Sequence, residues 1–249
     1  MKISKFDKKS VMASKMIVEV WSDVMCPFCY IGKRKFEVAL SSFSNNEHIE
    51  LEWKSYQLDP GMKTDPSIKY YESLASSKGM PVEQAKAMCD QVTEMAKEVG
   101  LKYDFEKAVV ANSFHSHELS HFAKQFDKQN QVEELLFKAF FEEGKNIDDL
   151  EVLKSIVLEV GLDVSAFQDS MEKGEFKEAV NQDINEAKEI GVRGVPFFVF
   201  NRKYAISGAQ PVDVFKQTIE KSFNEWKSEN NKVNFEVIDG PSCGPDGCN

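Results

Sequence analysis

Long apolar runs are missing from this chain. No stretch approaches the ~20 residues that cross a bilayer as a helix, and the strongest candidate, Val195–Phe200, has the length of a strand. No membrane partner is expected. A surplus of basic charge is missing as well: 31 Lys and Arg stand against 41 Asp and Glu, for a net charge of −10. A duplex-binding surface needs a basic footprint, so nucleic acid is not expected as a partner. Cysteine is sparse, with 5 in 249 residues. That is too few for the disulfide scaffold of a small secreted domain, and close pairs in such a chain point to redox catalysis or metal binding. Phenylalanine is plentiful. Nineteen of them argue for a packed core, which a chain of this length builds without metal or disulfide staples.

Residues 1–15 carry Lys2, Lys5, Lys8, Lys9 and Lys15 against Asp7. The apolar stretch of ~7–15 residues that a signal peptide needs does not follow them. They read as a disordered extension, with Met16 as an alternative start, and the protein is expected in the cytoplasm.

From Met16 the pattern is strand, helix, strand. Residues 16–22 form a buried strand. A helix opens at Pro27 with Phe28, Ile31, Phe36, Leu40 and Phe43 on its apolar side, and Ile49–Tyr56 alternates as a second strand. This is a βαβ unit. After the breakers Asp59-Pro60-Gly61 and Asp65-Pro66, nearly everything to about residue 178 is helix-periodic, with no strand candidate. Pro81 opens one helix, which Gly100 ends. Ser113 is placed to cap a second, and Gly144 ends a third. Asp148 with Glu151 has the spacing of a capping box for a fourth, ended by Gly161. Strands return at Val195–Phe200 and Lys203–Ile206, joined through Asn201-Arg202. A last amphipathic helix spans Pro211–Phe223. Residues 226–249 show no apolar stripe and read as a surface tail.

Cys26-Pro27-Phe28-Cys29 carries the strongest chemical signal. It follows a strand and opens a helix, with Pro at the first helical position. Residues three apart share a helix face, near the separation a disulfide needs, so the pair can switch between dithiol and disulfide with little backbone movement. Free N–H groups at the helix start favour a thiolate at Cys26, expected to be exposed there. Half a zinc site is the competing reading, and the second C-x-x-C it needs is absent. Gly194-Val195-Pro196 heads the returning strand.

Two segments resemble the thioredoxin-fold DsbA family, most closely its FrnE-like branch, neighbour to the 2-hydroxychromene-2-carboxylate isomerases. The first is Ser22-Asp23-Val24-Met25-Cys26-Pro27-Phe28-Cys29-Tyr30-Ile31-Gly32. The second is Gly191-Val192-Arg193-Gly194-Val195-Pro196-Phe197-Phe198, followed by Ala205-Ile206-Ser207-Gly208-Ala209-Gln210. The resemblance implies an α/β thioredoxin fold, βαβ…ββα, interrupted by a helical insertion domain. Its halves are residues 16–62 and 177–225, its insertion 63–176, its tail 226–249. It implies that Cys26 attacks and Cys29 resolves, and that Pro196 is cis and lies against the pair. Pro27 and Phe28 would shape substrate access, and the backbone of Val195 would pair with an extended substrate. The isomerase neighbours usually lack the first cysteine, so its presence favours redox work. Phe28 stands where many relatives have Trp, which leaves the reduction potential open.

Cys243-Gly-Pro-Asp-Gly-Cys248 is a second pair. On a helix the two would point ~140° apart. Gly244–Gly247 instead suits a type I turn that brings the flanking cysteines to hairpin distance. Some FrnE-like proteins carry a similar pair, and an auxiliary redox role is expected here, against a tail whose thiols do nothing specific or a four-thiolate zinc site built with the first pair. Cys89 lies on an apolar helix stripe and reads as an inert packing residue. His117-Glu118-Leu119-Ser120-His121 matches H-E-x-x-H, two ligands on one helix face with a potential base. The metzincin continuation is missing, and Glu142 and Glu143, the nearby acids in range for a third ligand, are ordinary in so acidic a chain; by the family resemblance His117 lines the groove between domains while His121 is coincidental.

The expected reaction is thiol–disulfide exchange on protein or small disulfides, as reductase or isomerase, with no cofactor and no metal and with thioredoxin or glutathione as recycling partner. The rival readings are a glutathione-dependent isomerase or transferase of the neighbouring type, and a chaperone-like binding protein.

Overall fold

The computed structural model describes residues 15–230 and, for the backbone, Cys243–Gly244 and Gly247–Cys248. Residues 1–14 of the expected extension and the turn positions 245–246 lie outside the described residues. In chain order the elements are β1 (Met16–Ser22), α1 (Pro27–Ser41), β2 (Ile49–Ser55), β3 (Asp65–Lys69), α2 (Tyr70–Lys78), α3 (Val82–Lys97) and β4 (Val109–Val110). There follow α4 (Phe114–Lys124), α5 (Gln129–Phe141), α6 (Leu150–Glu159), α7 (Val164–Lys173) and α8 (Lys177–Glu189). The chain continues with β5 (Phe197–Phe200), β6 (Tyr204–Ser207), α9 (Val212–Asn230), β7 (Cys243–Gly244) and β8 (Gly247–Cys248).

The fold is the expected mixed α/β arrangement. The main sheet has the order β2-β1-β5-β6. β1 runs parallel to β2, from Met16 opposite Ile49 to Ser22 opposite Ser55, and β5 returns antiparallel with Val20 opposite Phe198. Central β1 is buried on both faces and almost wholly apolar, with Glu19 its one charged residue, paired with Arg202. α1 and α9 cover one face, where Phe36, Phe198 and Phe215 pack with ring centroids 4.9–6.0 Å apart. On the other face Trp21 packs with Ala187, Val192 and Val199, and its indole N–H donates to the Asp183 carbonyl of α8 at 3.0 Å.

Several local expectations need correction. The helical stretch does contain strands: β3 and β4 pair at Asp65–Val110 and Lys69–Val109. β3 is short and mostly exposed, so it leaves no alternating apolar pattern to read. Ser113 takes the N-cap position of α4 but its side chain caps nothing; the Asn112 carboxamide oxygen accepts from Phe114 N–H at 2.8 Å. The cap of α6 is Asp149, which accepts from Glu151 N–H at 2.8 Å. Asp148 instead pairs with His115 at 2.8 Å. The β5–β6 connection takes three residues, with Asn201 and Arg202 at positive φ. α9 outruns the expected end at Phe223, because Trp226 packs on Phe223 with centroids 5.3 Å apart.

Candidate active site

Pro27 opens α1 because its fixed φ suits the first turn, and Cys26 is the N-cap residue with extended backbone (φ −88°, ψ 112°). Cys29 N–H donates to the Cys26 carbonyl at 3.0 Å, which closes the first turn over the pair. Both cysteines are free thiols. They differ in environment. Cys29 is wholly buried, and burial, with Cys26 beside it, pushes its thiol well above the ordinary range. Cys26 is only 4% exposed, not the open residue expected, because the cis-proline loop covers it. Its thiol donates to the Val195 carbonyl at 3.4 Å. The Val195–Pro196 peptide bond is cis, as the resemblance implied. Gly32 lets α1 close on that loop: a Cβ there would lie 2.9 Å from Pro196 Cγ.

A groove of about 300 Å³ opens over Cys26. Cys26, Pro27, Phe28, Gly194 and Val195 form its sheet-domain side; Tyr70, Leu74, Met88, Cys89, Val92 and Phe105 form the opposite wall. Met25 and Leu58 close its flank, and Lys78 is the one charged residue in this lining. Phe28 projects at 37% exposure at the rim. Cys89 is therefore a packing residue that also borders the groove. Burial, with Asp90 beside it, pushes its thiol up to about 11, so it stays protonated at neutral pH.

Residues from between β2 and α8 grip the cysteine helix at two places that the sequence did not disclose. Tyr103 Oη donates to the Pro27 carbonyl at 2.7 Å. Glu134 of α5 accepts from Tyr30 Oη at 2.6 Å and Lys33 Nζ at 2.7 Å, and pairs with Arg34. Burial opposes ionisation of Glu134, but Arg34 and Lys33 outweigh it and hold its carboxyl down at about 2. Asp23, inside the recognised segment but assigned no role, is the other omission. Its carboxylate accepts from Leu58 N–H at 2.7 Å and Met25 N–H at 3.2 Å.

The H-E-x-x-H residues do not converge. His121 Nε2 lies 2.9 Å from Asp183 of α8 and 3.2 Å from Ser55 Oγ. His117 faces Asp23 at 3.8 Å, 2% exposed, behind the groove and not along it as expected. Glu118 is fully buried with neither carboxylate oxygen hydrogen-bonded. Among the described residues no group of three or more His, Cys, Asp or Glu is arranged to hold a metal ion. The backbone of β7 and β8 sets Cys243 directly opposite Cys248.

A thiol pair at a helix start, beside a cis-proline loop on a four-stranded sheet, defines a thioredoxin-type redox protein. The sequence model of the DSBA-like thioredoxin domain matches residues 17–220, and the chain belongs to that family. It is 29% identical over 214 residues to the uncharacterised protein YwbO of Bacillus subtilis, covering 81% of this chain and 94% of that one. A crystal structure of a probable DsbA oxidoreductase from Streptomyces coelicolor, SCO1869, is 33% identical. It aligns over 94% of this chain and 98% of its own with a TM-score of 0.78. A 2-hydroxychromene-2-carboxylate isomerase structure shares the fold at 16% identity, over 88% and 100% of the two chains, with a TM-score of 0.59. No described helix is long and apolar enough to cross a membrane.

Proposed function

We propose that this protein is a thiol–disulfide oxidoreductase acting on protein disulfides, as a reductase or isomerase in the cytoplasm. The observation that carries the reading is the pairing of a groove-facing thiol, Cys26, with a wholly buried one three residues on. Cys26 attacks as the thiolate. One substrate sulfur leaves as thiolate and takes up a proton, and a mixed disulfide remains on Cys26. Cys29 then loses its proton and attacks Cys26 Sγ, which releases the second substrate thiol. The substrate gains two electrons, the protein ends as the Cys26–Cys29 disulfide, and thioredoxin or glutathione restores the dithiol. In isomerisation the released substrate thiolate attacks a second substrate disulfide, and the thiolate this frees attacks the substrate sulfur held on Cys26, which expels the Cys26 thiolate and leaves the dithiol with no net change of oxidation state. The apolar groove supports a substrate segment with an apolar side chain beside its cystine, laid along Val195.

Insulin reduction tests this. Cys26→Ala should abolish turnover, and Cys29→Ala should accumulate the mixed disulfide. A Cys26→Ser variant that keeps full activity on a small aromatic substrate with glutathione would move the assignment to the isomerase class. Directly opposed residues of an antiparallel pair lie within disulfide reach, which supports Cys243 and Cys248 as an auxiliary redox pair. Replacing both with Ser should slow recycling of oxidised Cys26–Cys29; unchanged turnover and redox potential would remove that role.

A further inference from the structure

One buried polar group has no part in the exchange steps yet touches the segment that carries them. His117 Nε2, on α4, has no hydrogen-bond partner. It lies 3.8 Å from Asp23 Oδ1, at ion-pair and not hydrogen-bond distance. Asp23 is 1% exposed and sits between β1 and α1. Its carboxylate holds the N–H groups of Met25 and Leu58, the residues that close the groove's flank. Its carbonyl accepts from Cys26 N–H at 2.9 Å, and its own N–H acts on the Cys29 sulfur. Asp23 thus ties both cysteines to the groove wall. A buried carboxylate with two neutral donors still lacks a counter-charge, and the His117 ring is the group placed to supply one.

We propose that His117 is a positioning residue for exchange at Cys26, acting through Asp23. The inference rests on the thiol-exchange reading above. Other charged groups surround the pair. Glu133 of α5 lies within electrostatic range of His117 and is itself influenced by Lys33 of α1, while Tyr70 of α2 lies within electrostatic range of Asp23. On α4 itself, His121 is engaged by Asp183, and Glu118 lies near His115 and Lys177. Burial disfavours the imidazolium, but Asp23 and Glu133 outweigh it and raise the ring's pKa. A raised histidine contributes fully below its ordinary value of about 6.5, and the contribution is lost as pH climbs through the raised one. In alkaline solution the Asp23 carboxylate is left buried without a counter-charge, which destabilises the arrangement that holds Met25 and Leu58 at the groove's flank.

The test compares the full chain with His117→Gln, Asp23→Asn and the double variant. Cys26 alkylation by iodoacetamide is followed against pH, and KM and kcat are measured for a cystine peptide with a neighbouring Leu. His117→Gln should raise the peptide KM by about tenfold, the size of one lost charge-assisted interaction, with a smaller change in kcat. It should also remove the His117 inflection from the alkylation profile. Asp23→Asn should do the same, and the double variant should be no worse than either alone. The half-buried control His48→Gln, at the far end of α1 beside Phe223, should match wild type. A folded His117→Gln chain with unchanged profile and KM, or additive losses in the double variant, overturns the proposal. Should the Gln variant not fold, the His117 ring signal of wild type decides by NMR titration: a midpoint above 6.5 that falls in Asp23→Asn supports it, and a ring neutral throughout pH 5–8 overturns it. If wild type reduces no peptide, the exchange reading fails, while alkylation and titration still report on His117 and Asp23.

Discussion

The C-x-x-C at the start of α1 and the H-E-x-x-H within α4 are both pairs of potentially reactive side chains set on one helix face by spacing alone. The two cysteines end at one place, beneath a groove and against the cis-proline loop. The two histidines end apart, His117 behind the cysteine turn and His121 against α8. Spacing therefore sets which side chains share a face, and the element packed on that face sets what they meet. An acidic neighbour takes up each histidine, whereas the wall opposite Cys26 is apolar and keeps its distance.

The largest break in this comparison should come from Asp183→Ala. It strands the buried Ser55 N–H and leaves His121 with the Ser55 hydroxyl alone, while Lys54 keeps Glu52 and Glu186, and it should cost about 3 kcal/mol in urea unfolding. Next is Gly32→Ala, whose Cβ meets Pro196 Cγ at 2.9 Å and the Phe198 ring at 3.5 Å. Overpacking of about 1–3 kcal/mol is expected, with slower insulin reduction because the proline loop is displaced from Cys26. The grip of α5 on α1 sharpens the contrast through pH. Glu134 is held down at about 2 from an ordinary 4.5, so its stabilisation is present above 4.5 and is lost as pH falls toward 2. The full shift corresponds to about 3 kcal/mol. With a side chain 28% exposed to water, about half of that is expected as the acid-limb difference between wild type and Glu134→Gln. The smallest effect belongs to chelation. If the H-E-x-x-H histidines serve their acidic neighbours alone, EDTA leaves both the melting temperature and the exchange rate unchanged.

Much of the sheet was legible because its signals are local. β1 is a run of strand formers broken only by Glu19, β2 alternates apolar and charged residues, and Pro27 marks a helix start by its fixed φ. The cysteine pair was legible for the same reason, since everything it needs lies within four residues. Asp149 escaped because Asp148 offers the same chemistry one residue earlier, and only backbone geometry distinguishes them. β3 escaped because its pairing rests on Val109 and Val110, some forty residues on. Asp23 stood in plain view within the cysteine segment, yet its role depends on Leu58 and His117, which no spacing rule connects to it.

By itself the sequence determined the strands of the main sheet and its first helix, the reach of Cys29 for Cys26, and the acidic, phenylalanine-rich character of the chain. Those follow from backbone preferences and side-chain chemistry acting over a few residues. Only the tertiary structure decided that Cys26 is sheltered while its neighbour is sealed, that Glu134 and Tyr103 hold the cysteine helix from across the molecule, and that the two histidines part company. Such outcomes depend on burial and on partners distant in sequence, and desolvation acts only once the elements have packed.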